Sequence, residues 1–186
     1  MNTDPKHDMW VEKYRPQRLE DYIGNDHIKK RFLQYMESND PPHILLHGRA
    51  GTGKTTLAKI LANNTDSDSI YINASDDTGV DVVRDKIRPF ASSVGFNEIK
   101  LVLLDEFDYM TPNAQASLRN IMEKYVKTTR FVLTCNYIEK IIEPIISRVK
   151  TGIFEVIPPS RKEVAIYCAR ILQEEGVKFS PEDVAL

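Results

Sequence analysis

Eight residues, Gly48-Arg49-Ala50-Gly51-Thr52-Gly53-Lys54-Thr55, match the pattern G-x-x-x-x-G-K-S/T and constrain the fold more than any other stretch of the chain. The pattern is informative only between a strand and a helix, and its flanks supply both. Ile44-Leu45-Leu46 precedes it as a short apolar run. Thr56, Leu57, Ala58, Ile60, Leu61 and Ala62 follow it with helical character. Glycines let backbone N–H groups turn inward around a phosphate chain, and the helix N-terminus adds positive potential there. In that frame Gly51, Thr52, Gly53 and Thr56 cradle the phosphates of ATP. Lys54 reaches the β- and γ-phosphates, and the Thr55 hydroxyl holds Mg²⁺.

The rest of the chain repeats the same alternation. Ile70-Tyr71-Ile72, Leu101-Val102-Leu103-Leu104 and Phe131-Val132-Leu133 are apolar throughout, with helical stretches between them, and Ile153–Ile157 closes the series. Runs that do not alternate with polar residues predict strands buried on both faces, in a parallel sheet covered by helices. Ahead of the phosphate loop, Ile28, Phe32, Leu33 and Met36 recur at helical spacing, which predicts a helix over His27–Ser38 that Pro41 and Pro42 end. Residues 1–8 read as a loose tail. Pro158-Pro159-Ser160 reads as a linker, so 1–158 is expected to form an α/β ATPase domain and 159–186 the start of a second, helical one. Ser160 and Glu163 form a capping box for a helix to about Glu175, stopped by Gly176. Ser180-Pro181 opens another helix, and the chain stops at Leu186 one turn into it, which reads as a truncated product.

Two strand ends carry chemistry. Leu101–Leu104 runs into Asp105-Glu106, and strand C-termini line the ligand crevice of a parallel sheet. Asp105 is therefore the expected second Mg²⁺ residue, and Glu106 the group that polarises the attacking water. Asp108 reads as a cap for the following helix. Leu133-Thr134-Cys135-Asn136 ends another strand in an amide, which places Asn136 to position water or touch the γ-phosphate.

The 28% charged residues and the shortness of the apolar runs argue against a membrane protein. The N-terminus lacks the apolar core of a secretory signal. A net charge of −2 neither requires nor excludes nucleic acid. Cys135 and Cys168 have no metal-ligand spacing and read as reduced thiols.

Several motifs in order resemble one family. They are Trp10-Val11-Glu12-Lys13-Tyr14-Arg15-Pro16, Asn73-Ala74-Ser75-Asp76, Ala114-Gln115-Ala116-Ser117-Leu118-Arg119, Cys135-Asn136-Tyr137 and Ile141-Ile142-Glu143-Pro144-Ile145-Ile146-Ser147-Arg148. Together they are similar to replication factor C small subunits and phage clamp-loader ATPase subunits, over about residues 9–175. The resemblance implies an AAA+ fold: a Rossmann-like ATPase domain, then a small helical lid. It implies a ring with other clamp-loader subunits that opens a sliding clamp and places it on primer–template DNA inside the cell, in the cytoplasm or at the nucleoid. It also implies that Val11, Glu12, Lys13, Tyr14 and Ile23 wrap adenine and ribose, and that Arg148 acts in trans on a neighbour's ATP. DNA contacts fall to Arg84 and Arg88, four apart on one helical face, and to Lys140. A further lid arginine and a collar would lie past Leu186. Ser147-Arg148-Val149, Gly48-Arg49-Ala50-Gly51 and Asp105-Glu106-Phe107-Asp108 depart from the family's usual motifs. No chemical group is lost by this, and the departures suggest a divergent member, with a phage among the sources they allow.

Three rival readings stand beside this one. A branch-migration helicase shares the ring and the DNA, but the Lys13-Tyr14-Arg15-Pro16 signature argues against it. A small-molecule kinase would need an acceptor pocket, and Glu106, Asn136 and Arg148 suit water attack better. A nucleotide-locked scaffold has no use for the full set of Lys54, Asp105 and Glu106.

Overall fold

The computed structural model describes residues 9–184, so the expected tail at 1–8 lies outside the described residues. Five strands form one all-parallel sheet: β1 (Ile44–His47), β2 (Ser67–Asn73), β3 (Ile99–Asp105), β4 (Thr129–Cys135) and β5 (Ile153–Glu155). Their spatial order is β2-β3-β4-β1-β5. The registers align His47 with Cys135, and Asn73 with Asp105, so the strand ends open at one edge of the sheet. The expectation of strands buried on both faces holds for the centre, β1, β3 and β4. It fails at the edges. In β2, Ser69 and Tyr71 are exposed, because β2 is the outermost strand and pairs on one side with β3 alone among the described residues. β5 is shorter than expected and ends at Glu155, leaving Ile157 half exposed.

Two apolar layers clamp the sheet. One carries Leu45, Val102, Leu104, Phe131 and Leu133 against Phe107, Leu118, Ile121 and Ile145. The other carries Ile44, Leu46, Leu101 and Leu103 against Phe32, Leu57, Ile60 and Leu61. At roughly 1.5–3 kcal/mol per fully buried large aliphatic or aromatic side chain, these layers are what hold the strand ends in place.

The helices are α1 (Trp10–Lys13), α2 (Asp26–Ser38), α3 (Lys54–Asn63), α4 (Val80–Val82), α5 (Arg88–Ser92), α6 (Pro112–Lys124), α7 (Glu143–Val149) and α8 (Arg161–Glu174). α2 buries Ile28 and Phe32 as its spacing predicts, but Leu33 stays 48% exposed because it falls outside the narrow buried stripe. Between α4 and α5, Val83–Ile87 is a π-turn. Pro89 supplies the reason. It has no N–H for an α-helical bond to the Asp85 carbonyl, and its ring would clash there, so the helix widens by a residue.

The capping box of α8 is present as read: the Ser160 hydroxyl accepts from the Glu163 N–H, and the Glu163 carboxylate accepts from the Ser160 N–H. At the other end Gly176, at φ 67°, completes a Schellman motif. The Val177 N–H reaches the Leu172 carbonyl at 2.9 Å, and the Gly176 N–H reaches that of Gln173 at 3.1 Å. Pro181–Val184 is a single 3-10 turn. No helix among the described residues is long and apolar enough to cross a membrane.

Candidate nucleotide site

A cleft of about 610 Å³ opens at the carboxyl edge of the sheet. The loop between β1 and α3 forms its floor. Gly53 sits at φ 90°, and a Cβ there would meet the Tyr22 hydroxyl at 2.8 Å. That hydroxyl donates to the Thr52 carbonyl at 2.9 Å, so Tyr22 buttresses the loop from beneath. Gly48 is forced as well: at φ 139° a Cβ would lie 2.5 Å from the Val156 carbonyl oxygen. Another residue at Gly48 would have to move backbone, and one at Gly53 would displace the Tyr22 side chain and strain a left-handed φ.

Lys54 is 7% exposed, and burial pushes its ammonium below the usual lysine range. Its Nζ donates to the Gly48 and Arg49 carbonyls at 2.9 and 2.8 Å and to Asn136 Oδ1 at 2.8 Å. The loop lysine and the amide at the end of β4 therefore meet across the cleft. Beside them, the Thr55 hydroxyl lies 2.8 and 2.9 Å from the two oxygens of Asp105. Asp105 also accepts from the buried Thr134 hydroxyl and from the Tyr71 phenol, the latter at 2.7 Å. Burial and that carboxylate push the Tyr71 phenol well above its ordinary range, so it stays a donor.

The chemistry of this donor set fits magnesium. It is all hard oxygen, with one carboxylate and one hydroxyl adjacent, and Mg²⁺ is usually held by one or two carboxylates while waters and phosphate oxygens complete its shell.

Glu106 lines the cleft at φ 53°, a left-handed conformation that costs a non-glycine residue about 1–3 kcal/mol. Its N–H donates to Thr134 Oγ1 at 3.0 Å, which holds the turn. Asp108 departs from the sequence expectation. It does not cap the next helix; Thr111 does, accepting from the Ala114 N–H. Asp108 is buried and accepts from the Asn136 and Tyr137 N–H groups at 3.4 and 3.3 Å, so it ties the acidic turn to the end of β4. Cys135 also lines the cleft, and burial raises its thiol to about 12, so it stays protonated.

Trp10, Val11, Tyr14 and Ile23 line the far end of the cleft, facing Tyr167, Cys168 and Ile171 of α8. Nothing in the sequence assigned those three to the site, Cys168 reading only as a reduced thiol; their recurrence on one face of the predicted helix was the available signal. Glu12 and Lys13 do not line the cleft. Glu12 pairs with Arg15, which reaches the Thr56 hydroxyl, and Lys13 pairs with Glu175 at 2.7 Å. Successive residues of a one-turn helix point in different directions, so a run of four could not all face the ligand.

Arg148 is outside the cleft. Its guanidinium pairs with Glu123 of α6 and donates to the Pro144 carbonyl, and its buried Nε has no partner among the described residues. Arg84 is exposed but paired with Asp81 and Asp85; Arg88 is exposed nearby. Lys140 lies over the rings of Tyr137 and Tyr109, at 4.6 and 5.7 Å. These basic residues do not meet at one place with the cleft residues.

A parallel sheet with a glycine-rich phosphate loop entering a helix, and with carboxylates at the end of β3, one strand removed across β4, defines a P-loop nucleotide-binding protein. Residues 44–155, more than half of the chain, match the model of the ATPase family associated with various cellular activities, and the chain belongs to that AAA family. It is 42% identical over 95% of its length to the replication factor C small subunit of Sulfolobus acidocaldarius, covering 56% of that protein. It is 44% identical over 96% of its length to the corresponding protein of Methanoregula boonei, covering 57% of it. The chain thus spans just over half the length of the curated relatives it matches. Among solved structures it resembles RuvB of Thermotoga maritima, a Holliday junction branch migration motor, with a TM-score of 0.78. The identity there is 20%, over 92% of this chain and 58% of that one, which establishes the shared fold alone.

Proposed function

We propose that the chain is the ATPase part of a DNA clamp-loader subunit, binding and hydrolysing Mg·ATP to open a sliding clamp and load it on primer–template DNA. The observation that carries the ATPase half is the convergence of Lys54, Thr55, Asp105, Glu106 and Asn136 on one cleft. The clamp-loader half is supported by the likeness to replication factor C small subunits, whose identity is about twice that of the branch-migration motors. Residues 1–158 act as the ATPase domain and 159–186 as the opening of its helical lid.

In this reading Trp10, Val11, Tyr14 and Ile23 receive the base, with α8 closing over it. The loop N–H groups and Lys54 take the phosphates, Lys54 exchanging its carbonyl and amide partners for phosphate oxygens. Thr55 and Asp105 hold magnesium, which when bound neutralises charge on the β- and γ-phosphates. Glu106 accepts a proton from the attacking water or polarises it. Asn136, set by Asp108 through its backbone, orients that water or the γ-phosphate. Arg148 serves the site of a neighbouring subunit, since it faces away from its own. Arg84, Arg88 and Lys140 track DNA phosphates; the carboxylates around Arg84 would have to yield first.

The test is ATPase activity of the full-length protein with its partner subunits, with and without clamp and primed DNA. Stimulation by both together is expected. No hydrolysis under any condition would sink the ATPase reading. Hydrolysis that responds to branched DNA and ignores the clamp would instead favour the branch-migration reading, which the RuvB-like fold keeps in view.

A further inference from the structure

Tyr71 stands on the edge strand, 47% exposed, yet its hydroxyl turns inward and donates to Asp105 Oδ2 at 2.7 Å. The ammonium of Lys59, on α3, lies over its ring, 4.7 Å from the centroid. Asp105 is gripped from both sides. Thr134 donates to Oδ1 from the buried side, Tyr71 to Oδ2 from the exposed side, and Thr55 lies within reach of both oxygens.

A carboxylate oxygen offers about two acceptor positions. If the Thr55 hydroxyl turns to a cation, Thr134 and Tyr71 each keep one oxygen and leave one position free on it. Two fixed donors at opposite oxygens also stop the carboxylate from rotating about its Cβ–Cγ bond. Losing a hydrogen-bond partner that orients a metal ligand in this way typically costs roughly 10- to 100-fold in metal affinity.

We propose that Tyr71 is a positioning residue for divalent-cation binding, its phenol fixing the Asp105 carboxylate in the orientation the cation requires. This role rests on the proposed Mg·ATP site. It assigns the exposed β2 edge a part in the chemistry, although Tyr71 does not itself line the cleft.

The test uses Tyr71→Phe, which keeps the ring and its contact with Lys59 and removes the hydroxyl alone. Mn²⁺ replaces Mg²⁺ as probe, and free Mn²⁺ is read by electron paramagnetic resonance in the presence of ADP. The dissociation constant for Mn²⁺ is expected to rise roughly tenfold. Affinity for ADP in EDTA is expected to stay at the wild-type value, which a general loss of structure would not allow. Mn²⁺ affinity within about twofold of wild type would overturn the proposal while leaving the metal site standing. If the wild-type protein itself takes up no Mn²⁺ with ADP, the metal site falls first and this role with it.

Discussion

The two ends of the cleft, proposed above to take the phosphates and the base, are built on opposite plans. At the phosphate end every functional group grows from the sheet or from the loop it anchors. Lys54, Asp105 and Thr134 are buried, Gly53 and Glu106 hold left-handed backbone, and hydroxyl, amide and carboxylate groups satisfy one another. At the base end, Trp10 and Val11 are exposed, and α8 has no buried residue. Lys13–Glu175, Tyr14–Glu175, Arg170–Asp21 and the Tyr167 bond to the Tyr14 carbonyl join α8 to the N-terminal segment and the short turn after it. The two ion pairs among these, Lys13–Glu175 and Arg170–Asp21, lie at the surface, where such pairs contribute little and weaken with salt. One end is therefore preorganised for charge, and the other is free to adjust to whatever lies between its two walls.

The comparison breaks most readily at Lys54. Lys54→Ala should weaken Mg·ATP binding roughly 100-fold or more, since a buried charged partner is lost from the phosphates. Calorimetry showing unchanged affinity would mean that the phosphate end is not where binding energy resides.

The sheet beneath that end has its own weak point. His43 is buried, and its Nδ1 accepts the Phe131 N–H at 3.2 Å. Burial, then the charges of Arg130 and Arg148, hold it at about 4 against an ordinary 6.5. Because the fold favours the neutral ring, the stability it contributes is complete above pH 6.5 and is lost as pH falls from there to about 4. The loss is on the order of 3 kcal/mol. Melting temperature against pH should flatten across that window in His43→Gln; an identical slope in both proteins would place the acid sensitivity elsewhere.

Asp108→Ala should cost less, roughly 1 kcal/mol, because two part-buried backbone N–H groups lose a long hydrogen bond each. A melting temperature several degrees lower is expected. No change would show that Asn136 is held without it.

The smallest effect belongs to the base end. Glu175→Ala, which releases both Lys13 and Tyr14, should change ATP affinity by less than about threefold, and less still at high salt. A loss as large as that of Lys54→Ala would erase the distinction between the two ends.

The phosphate end was also the legible one. The loop, Asp105-Glu106 and Asn136 are short patterns at strand ends, and a buried parallel sheet converts position at a strand end into position in the cleft. What the sequence hid depends on register between strands. Tyr71 and Thr134 reach Asp105 only because β2 and β4 flank β3. Asp108 reads as a helix cap until β4 brings Asn136 beside it. Tyr22 lies thirty residues from the loop it supports. Leu33 and the β2 edge misled for the opposite reason: apolar residues need not be covered, and composition does not say which strand lies outermost. Arg148 was placed by resemblance, and nothing local announces its pairing with Glu123.

Glu106 is the residue proposed to make the phosphate end catalytic and not merely a holder of nucleotide. Its direct test measures binding and turnover on the same preparation of Glu106→Gln. The amide is nearly isosteric with the carboxylate but cannot act as a general base. Mg·ATP should bind with wild-type affinity by calorimetry, while phosphate release falls on the order of 100-fold or more. Turnover at the wild-type rate with intact binding would contradict the account and place the base at another residue.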